Sequence, residues 1–278
     1  MLERLQTIPR YYIYLLLAAV VVWQVLFPIN LPIVPSAPTR GVIDAIKSAP
    51  DDKLIIISTD WDASTQAETG PQTKAIIEAC FQNHKRFAIM NLSPPAGVKL
   101  ANDIAKSVAE RYQAQYGVDW CNWGYKIGGE NVLLAMQKNI PRAVGKDYNG
   151  TLVTELPMMR GVESIRDIGL VILVTGYANL TEYWVGLIQT PFNIPMATGY
   201  TAVMAPGYYS YLDSGQLQGI LVGAKGAAEM ESAIGQPDAA TAIMNVQSWA
   251  HLLIIALIIL GNVGQTLARK SSAQEARR

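Results

Sequence analysis

The sequence predicts an α/β fold: one mainly parallel-sheet domain, Rossmann-like and three-layered, flanked by N- and C-terminal transmembrane helices. Three observations carry that expectation. Short apolar runs such as Leu54-Ile55-Ile56-Ile57 are continuous rather than alternating, the pattern of strands covered on both faces. Amphipathic stretches lie between these runs, and strands that alternate with helices build parallel sheets. Long apolar segments occupy the two ends, over 11–27 and 249–263. Each approaches the roughly 20 residues that a spanning helix needs once its flanks are counted.

In chain order, residues 1–10 read as a tail and 11–29 as the first transmembrane helix, interrupted only by Gln24. Pro28, Pro32, Pro35 and Pro38 fix φ and favour extended backbone before them, so 30–50 reads as a Pro-rich linker. The α/β domain is expected over 51–236. Residues 54–59 form its first strand. Gly70-Pro71 precedes a helix carrying Ala75, Ile76, Ala79 and Cys80 on one side, and 87–90 is the second strand. Pro94-Pro95 opens the clearest helix. There Ala101, Ile104, Ala105, Val108, Ala109, Tyr112 and Tyr116 recur at intervals of three and four, and Gly117 is expected to end it. A strand within 118–123, a helix over 129–138 and a long loop over 141–161 follow. A strand over 170–175, a helix over 181–189, a strand-like stretch over 195–204 and a helix over 223–234 complete the domain. Pro237-Asp238 starts a connecting helix, 237–247, that continues into the second transmembrane helix, 248–266, and a basic tail, 267–278.

Charge sets the expected topology. Arg4 and Arg10 precede the first apolar segment; Arg269, Lys270, Arg277 and Arg278 follow the second. Lys and Arg stay on the cytoplasmic side, so both termini read as cytoplasmic and the domain as extracytoplasmic, in a two-pass arrangement. The first segment reads as an uncleaved anchor, because it outruns a signal core and Ser36-Ala37 is succeeded by Pro38. Twenty-two basic residues balance 22 acidic ones, so no basic excess points to nucleic acid. Cys80 and Cys121, the only cysteines, are either a disulfide pair or two small buried hydrophobes; they make no zinc site. Of two histidines, His84 sits among Asn83, Lys85 and Arg86 in a solvated loop, which argues against a Ser-His-acid arrangement.

Three sets of residues are candidates for function. Asp60, Asp62 and Ser64 follow the first strand, where open α/β sheets hold ligands. The string Asp60-Trp61-Asp62-Ala63-Ser64 partly resembles the first motif of the haloacid dehalogenase superfamily, which implies a phosphoryl-accepting Asp60, an acid/base Asp62 and magnesium. The alternative is that both aspartates cap the next turn and helix. Lys126, Gly128 and Gly129 precede a helix start and offer either a small-anion site or a tight turn. In the second apolar segment, Ala256, Gly261 and Gly264 are small residues that let helices approach closely in lipid.

Several strings together resemble a family of uncharacterised bacterial membrane-anchored proteins. They are Gly124-Tyr125-Lys126 with Gly128-Gly129, Asp147-Tyr148 with Gly150, Pro157-Met158-Met159 with Gly161-Val162, and Thr201-Ala202-Val203-Met204-Ala205. Tyr211-Leu212 with Ser214-Gly215-Gln216-Leu217, and Gly226-Ala227-Ala228-Glu229 with Glu231, complete the series. The resemblance implies one α/β domain between two membrane helices and brings no catalytic residues. The expected function is therefore a non-enzymatic, membrane-anchored subunit of a larger envelope assembly, forming homo- or hetero-oligomers with other membrane proteins and needing no cofactor or metal. The alternatives are a magnesium-dependent phosphohydrolase using Asp60 and Asp62, and a small-anion-binding module.

Overall fold

Strand β1, Leu54–Asp60, is buried at every position because its alternating side chains feed two cores. Leu54 and Ile56 join Ala88, Met90, Val171 and Leu173 on one side; Ile55 and Ile57 join Phe87, Ile89, Leu170 and Ile172 on the other. That two-sided burial is why the strands read as unbroken apolar runs. The computed structural model describes residues 9–275 and divides the chain into two units, Ile33–Thr241 and Met1–Pro32 with Ala242–Arg278.

In the unit Ile33–Thr241, β1 is joined by β2 (Phe87–Asn91), β3 (Trp120–Tyr125), β4 (Ile168–Thr175), β5 (Met196–Tyr200) and β6 (Gly219–Val222). All neighbours pair parallel in the order β3-β2-β1-β4-β5-β6, so the α/β parallel sheet is as expected. This is the strand order of doubly wound dinucleotide-binding folds, with its switch point between β1 and β4. Helices fill both faces. The Ile55 face carries residues of four helices, numbered with α1 reserved for the N-terminal helix described below. They are α2 (Ala37–Ser48), α3 (Gln66–Gln82), α4 (Gly97–Tyr112) and one further helix, Gly223–Ala233. The Leu54 face carries α5 (Glu130–Lys138), α6 (Ile140–Val144) and α7 (Leu180–Trp184). After α8 (Tyr209–Asp213), the helix Gly223–Ala233 is α9.

Several boundaries differ from the sequence expectation. The linker 30–50 is shorter, because Ala37–Ser48 is a helix with proline in its first turn, a position proline favours. Val42 and Ile46 of α2 are fully buried, and Gly41 brings its backbone against β6, where an added Cβ would stand 2.0 Å from the Gln218 carbonyl oxygen. Helix α3 starts five residues before Pro71, which lies inside it. Helix α4 ends at Gln113, in a left-handed conformation at φ 54°, not at Gly117. The expected loop over 141–161 contains α6 and short 3₁₀ turns at Val153–Glu155 and Pro157–Met159. Cys80 lies in the core on the Ile55 face and Cys121 in the core on the Leu54 face, both free. The sheet separates them, so they do not pair.

In the other unit, α1 (Arg10–Leu26) has 17 residues and exposes Tyr14, Leu15, Val22, Trp23 and Val25. The final helix, α10, runs from Ala239 to Glu275, 37 residues or about 55 Å. Its stretch Ala239–Thr266 contains an 18-residue run with a mean hydropathy of 2.0, 6% of it buried within the chain. Among the described residues it is the one helix long and apolar enough to cross a membrane; α1 falls short of that length. The carboxamide of Gln24 donates to the Ile29 carbonyl at 3.1 Å and accepts the Ile29 amide at 3.2 Å. Asn245 accepts the Leu31 amide at 2.9 Å and donates to the Asn30 side chain at 2.8 Å, while the Trp249 indole donates to Ile29 at 3.1 Å.

Candidate functional site

Asp60 ends β1 at the switch point, with no exposed surface. Its Oδ1 accepts the amides of Leu92 at 2.6 Å and Ser93 at 2.9 Å, and its Oδ2 accepts the Ser58 hydroxyl at 2.5 Å. Burial pushes its pKa up to about 6, and the three donors only partly oppose that. Asp62 faces another way. Its Oδ1 accepts the amide and hydroxyl of Ser64, at 2.8 and 2.6 Å, and its Oδ2 accepts the Tyr177 hydroxyl at 2.5 Å. The Ser64 and Tyr177 hydroxyls hold this carboxyl below the usual carboxylate range, and Asp62 raises the Tyr177 phenol in return.

The two carboxylates thus serve different loops. Asp60 ties β1 to the segment after β2, and Asp62 ties the β1 loop to the segment after β4. The second seam is tight: Gly176 donates to the Asp60 carbonyl at 3.2 Å, the Thr175 hydroxyl donates to it at 3.0 Å, and a Cβ on Gly176 would meet Thr65 at 2.6 Å. A magnesium ion would need convergent, accessible oxygens. Asp60 is enclosed and fully engaged, so the pair does not fit that ion. Among the described residues no three His, Cys, Asp or Glu side chains are grouped to hold a metal.

Two polar residues of α3 escaped the sequence reading. Glu68 accepts the Ala202 amide at 2.7 Å, after β5. One turn on, Gln72 donates to the carbonyls of Tyr200 and Gly223, each at 2.9 Å, tying down the ends of β5 and β6. Their four-residue spacing was the available signal, since it places both on one helix face.

The sequence string around Gly124 is a bulge. Pairing between β2 and β3 shifts at Ile89/Met90, Gly124 takes φ +79°, and the Asn122 side chain accepts its amide at 2.8 Å. Lys126 then turns its ammonium to the carbonyls of Val144 and Lys146, each at 2.8 Å. Burial lowers its pKa. Gly128 and Gly129, both at positive φ, form the turn into α5, and their carbonyls accept the amides of Asn131 and Val132. The cation is therefore spent on backbone carbonyls. Asp147 accepts the amides of Asn149 and Thr151 and the Tyr116 hydroxyl, closing the neighbouring loop.

Helix α9 holds two heavily used carboxylates. Glu229 accepts the Ser36 amide at 3.0 Å, the Ser36 hydroxyl at 2.6 Å and the Thr39 hydroxyl at 2.6 Å, at the start of α2. Glu231 accepts the amides of Asp238, Ala240 and Thr241 and the Thr241 hydroxyl, at the start of α10. No protein-family profile, curated protein or solved structure matches this chain. The geometry stands alone. Of the small residues of α10, Gly264 is buried, while Ala256 and Gly261 are exposed and Gly261 has open space where a Cβ would lie.

Proposed function

We propose that the protein is a non-enzymatic, membrane-anchored subunit of a larger envelope assembly in a bacterial inner membrane. In this reading both termini are cytoplasmic, the α/β domain is extracytoplasmic, and the subunit forms homo- or hetero-oligomers with other membrane proteins. The observation that carries it is the apolar surface of α10, which contains an 18-residue run at a mean hydropathy of 2.0 with only 6% of it buried by the chain. Water would have to be kept from that surface, and lipid or neighbouring helices do so without cost.

Helix α1 supports the same reading. Tyr11, Tyr12 and Tyr14 are exposed at its start, and Trp23 and Phe27 at its end. Amphipathic aromatics at both ends of an apolar helix suit the two interfaces of a bilayer. Its 17 residues reach about 25 Å, which local thinning or the flanks would complete. The family resemblance fits as well, because its strings fall on bulges, turns and caps rather than on a reactive cluster. Glu229 and Glu231, the last of those strings, secure the starts of α2 and α10.

A cysteine at the exposed position Glu110 tests the topology, since native Cys80 and Cys121 are buried and add little background. A membrane-impermeant maleimide should label Glu110→Cys once the outer layer is opened and the inner membrane is intact. Labelling only after the inner membrane is breached would reverse the proposed orientation. Gentle extraction should also yield a particle heavier than one chain. A monodisperse monomer in both mild detergent and nanodiscs, with nothing co-purifying, would remove the assembly.

A further inference from the structure

The end of α1 and the start of α10's apolar stretch line a half-open cavity of about 500 Å³. Gln24, Val25 and Pro28 line one side, and Ala242, Ile243, Asn245, Val246 and Gln247 the other. We propose that this cavity binds one acyl chain of a membrane phospholipid, an inference that rests on the membrane reading above.

Chemistry narrows the occupant. The two most buried amides of the lining are engaged at both ends: Gln24 with Ile29, and Asn245 with Asn30 and Leu31. What remains toward the cavity is mostly methyl and methylene surface. Residues 11–39 and 239–268 contain no Asp, Glu, Lys or Arg, so nothing in these segments would balance a charged ligand. A neutral apolar chain satisfies both conditions. The volume falls within the range of small-ligand cavities.

Extent separates a chain from a helix. The lining covers 24–28 on one side and 242–247 on the other, about 9 Å of helix axis at the most. A packed helix, 10–12 Å in diameter, would engage residues over several turns beyond that. Trp23 and Phe27, next in the chain to Gln24 and Pro28, are exposed, and exposed Trp favours the headgroup level of a bilayer. An acyl chain reaching in from that level needs no path through protein.

The test uses the full chain in nanodiscs containing a phosphatidylethanolamine with a photoreactive diazirine on one acyl chain. Adducts should concentrate on 242–247 and 25–28, above the level found on the outer residues Ile254, Ile255, Ile258 and Ile259. Filling the cavity with Ile243→Trp, or independently with Ala242→Phe, should abolish the excess and leave the outer-face adducts unchanged. Even labelling along α10 that neither variant alters would overturn the acyl site while the membrane reading stands. Protein–protein crosslinks from 242–247 in place of lipid adducts would assign the cavity to a second copy and overturn it too. Absence of adducts along α10 altogether would instead remove the membrane reading on which the site depends.

Discussion

Glu229 and Glu231 lie two residues apart on α9 and receive the starts of two different helices, α2 and α10. Residues at that spacing point to different sides of a helix, which is why one short segment can serve both. The helix N-terminus carries unpaired amides and partial positive charge, and a carboxylate answers both. At α10 the answer comes from another helix rather than from the residue before Ala239. Glu231→Ala should leave the amides of Asp238, Ala240 and Thr241 without their acceptor. The expected cost is about 1–3 kcal/mol or more, the range for stranding buried donors. Glu231→Gln should lose less, because a carboxamide keeps one acceptor oxygen. Denaturation of the full chain in mild detergent measures the loss, and hydrogen exchange should rise first at residues 238–241. Unchanged exchange there would show that water replaces the carboxylate freely.

Asp60 gives a pH signature. Burial raises it to about 6 in the folded chain from the ordinary 3.8. The folded state therefore keeps a proton that the unfolded state releases earlier. That contribution is complete below about pH 3.8 and is lost as pH rises through about 6, a difference of about 3 kcal/mol at neutral pH. Asp60→Asn cannot ionise and retains a carbonyl for the Leu92 and Ser93 amides. Its stability should depend less on pH between 4 and 7, and at pH 7.5 it should equal or exceed the native protein. Urea titrations of both at several pH values decide it; a variant that loses stability most at high pH contradicts the assignment.

Much of the architecture was legible because parallel strands buried on both faces leave unbroken apolar runs, as in Leu54 to Ile57 and Leu170 to Leu173. What escaped had competing local signals. Pro38 read as linker, yet proline also suits a helix's first turn, and α2 packs Val42 and Ile46 behind it. Strand β6, four residues that begin with Gly219 and run into a glycine-led helix, is too short to show a period. At the switch point the residue types were visible but not their directions. Asp60 and Asp62 look paired in sequence and are held by opposite loops in space. Tyr177, the partner of Asp62, lies 115 positions away and carried no mark.

Both thiols should be inert in the folded protein. Burial raises Cys80 and Cys121 above the ordinary cysteine range, so neither forms the reactive thiolate at neutral pH. Ellman's reagent should react with neither until denaturant unfolds the domain, and the intact mass should be that of two free thiols even after mild oxidation. A mass lower by two hydrogens, or rapid native-state reaction, would contradict the placement of the two cysteines on opposite faces of the sheet.

Gly41 separates local propensity from packing. It lies within helix α2, where Gly→Ala should stabilise by about 1 kcal/mol if propensity ruled. Packing predicts the reverse. A Cβ there would stand 2.0 Å from the Gln218 oxygen and 3.1 Å from the Gly219 Cα, and both are backbone atoms that no side-chain rotation can move aside. Gly219 answers in kind, since its own Cβ would lie 2.2 Å from the Val42 nitrogen. Two glycines thus let helix and strand backbones touch where α2 crosses the edge of the sheet. Gly41→Ala must push α2 outward and open the apolar contacts of Val42 and Ile46, so destabilisation by about 1–3 kcal/mol is expected, the usual cost of overpacking. Ser48→Ala, at the end of the same helix, should be nearly neutral and serves as the control. Thermal and urea unfolding of the two variants gives the sign. A more stable Gly41→Ala would mean that α2 does not rest on β6.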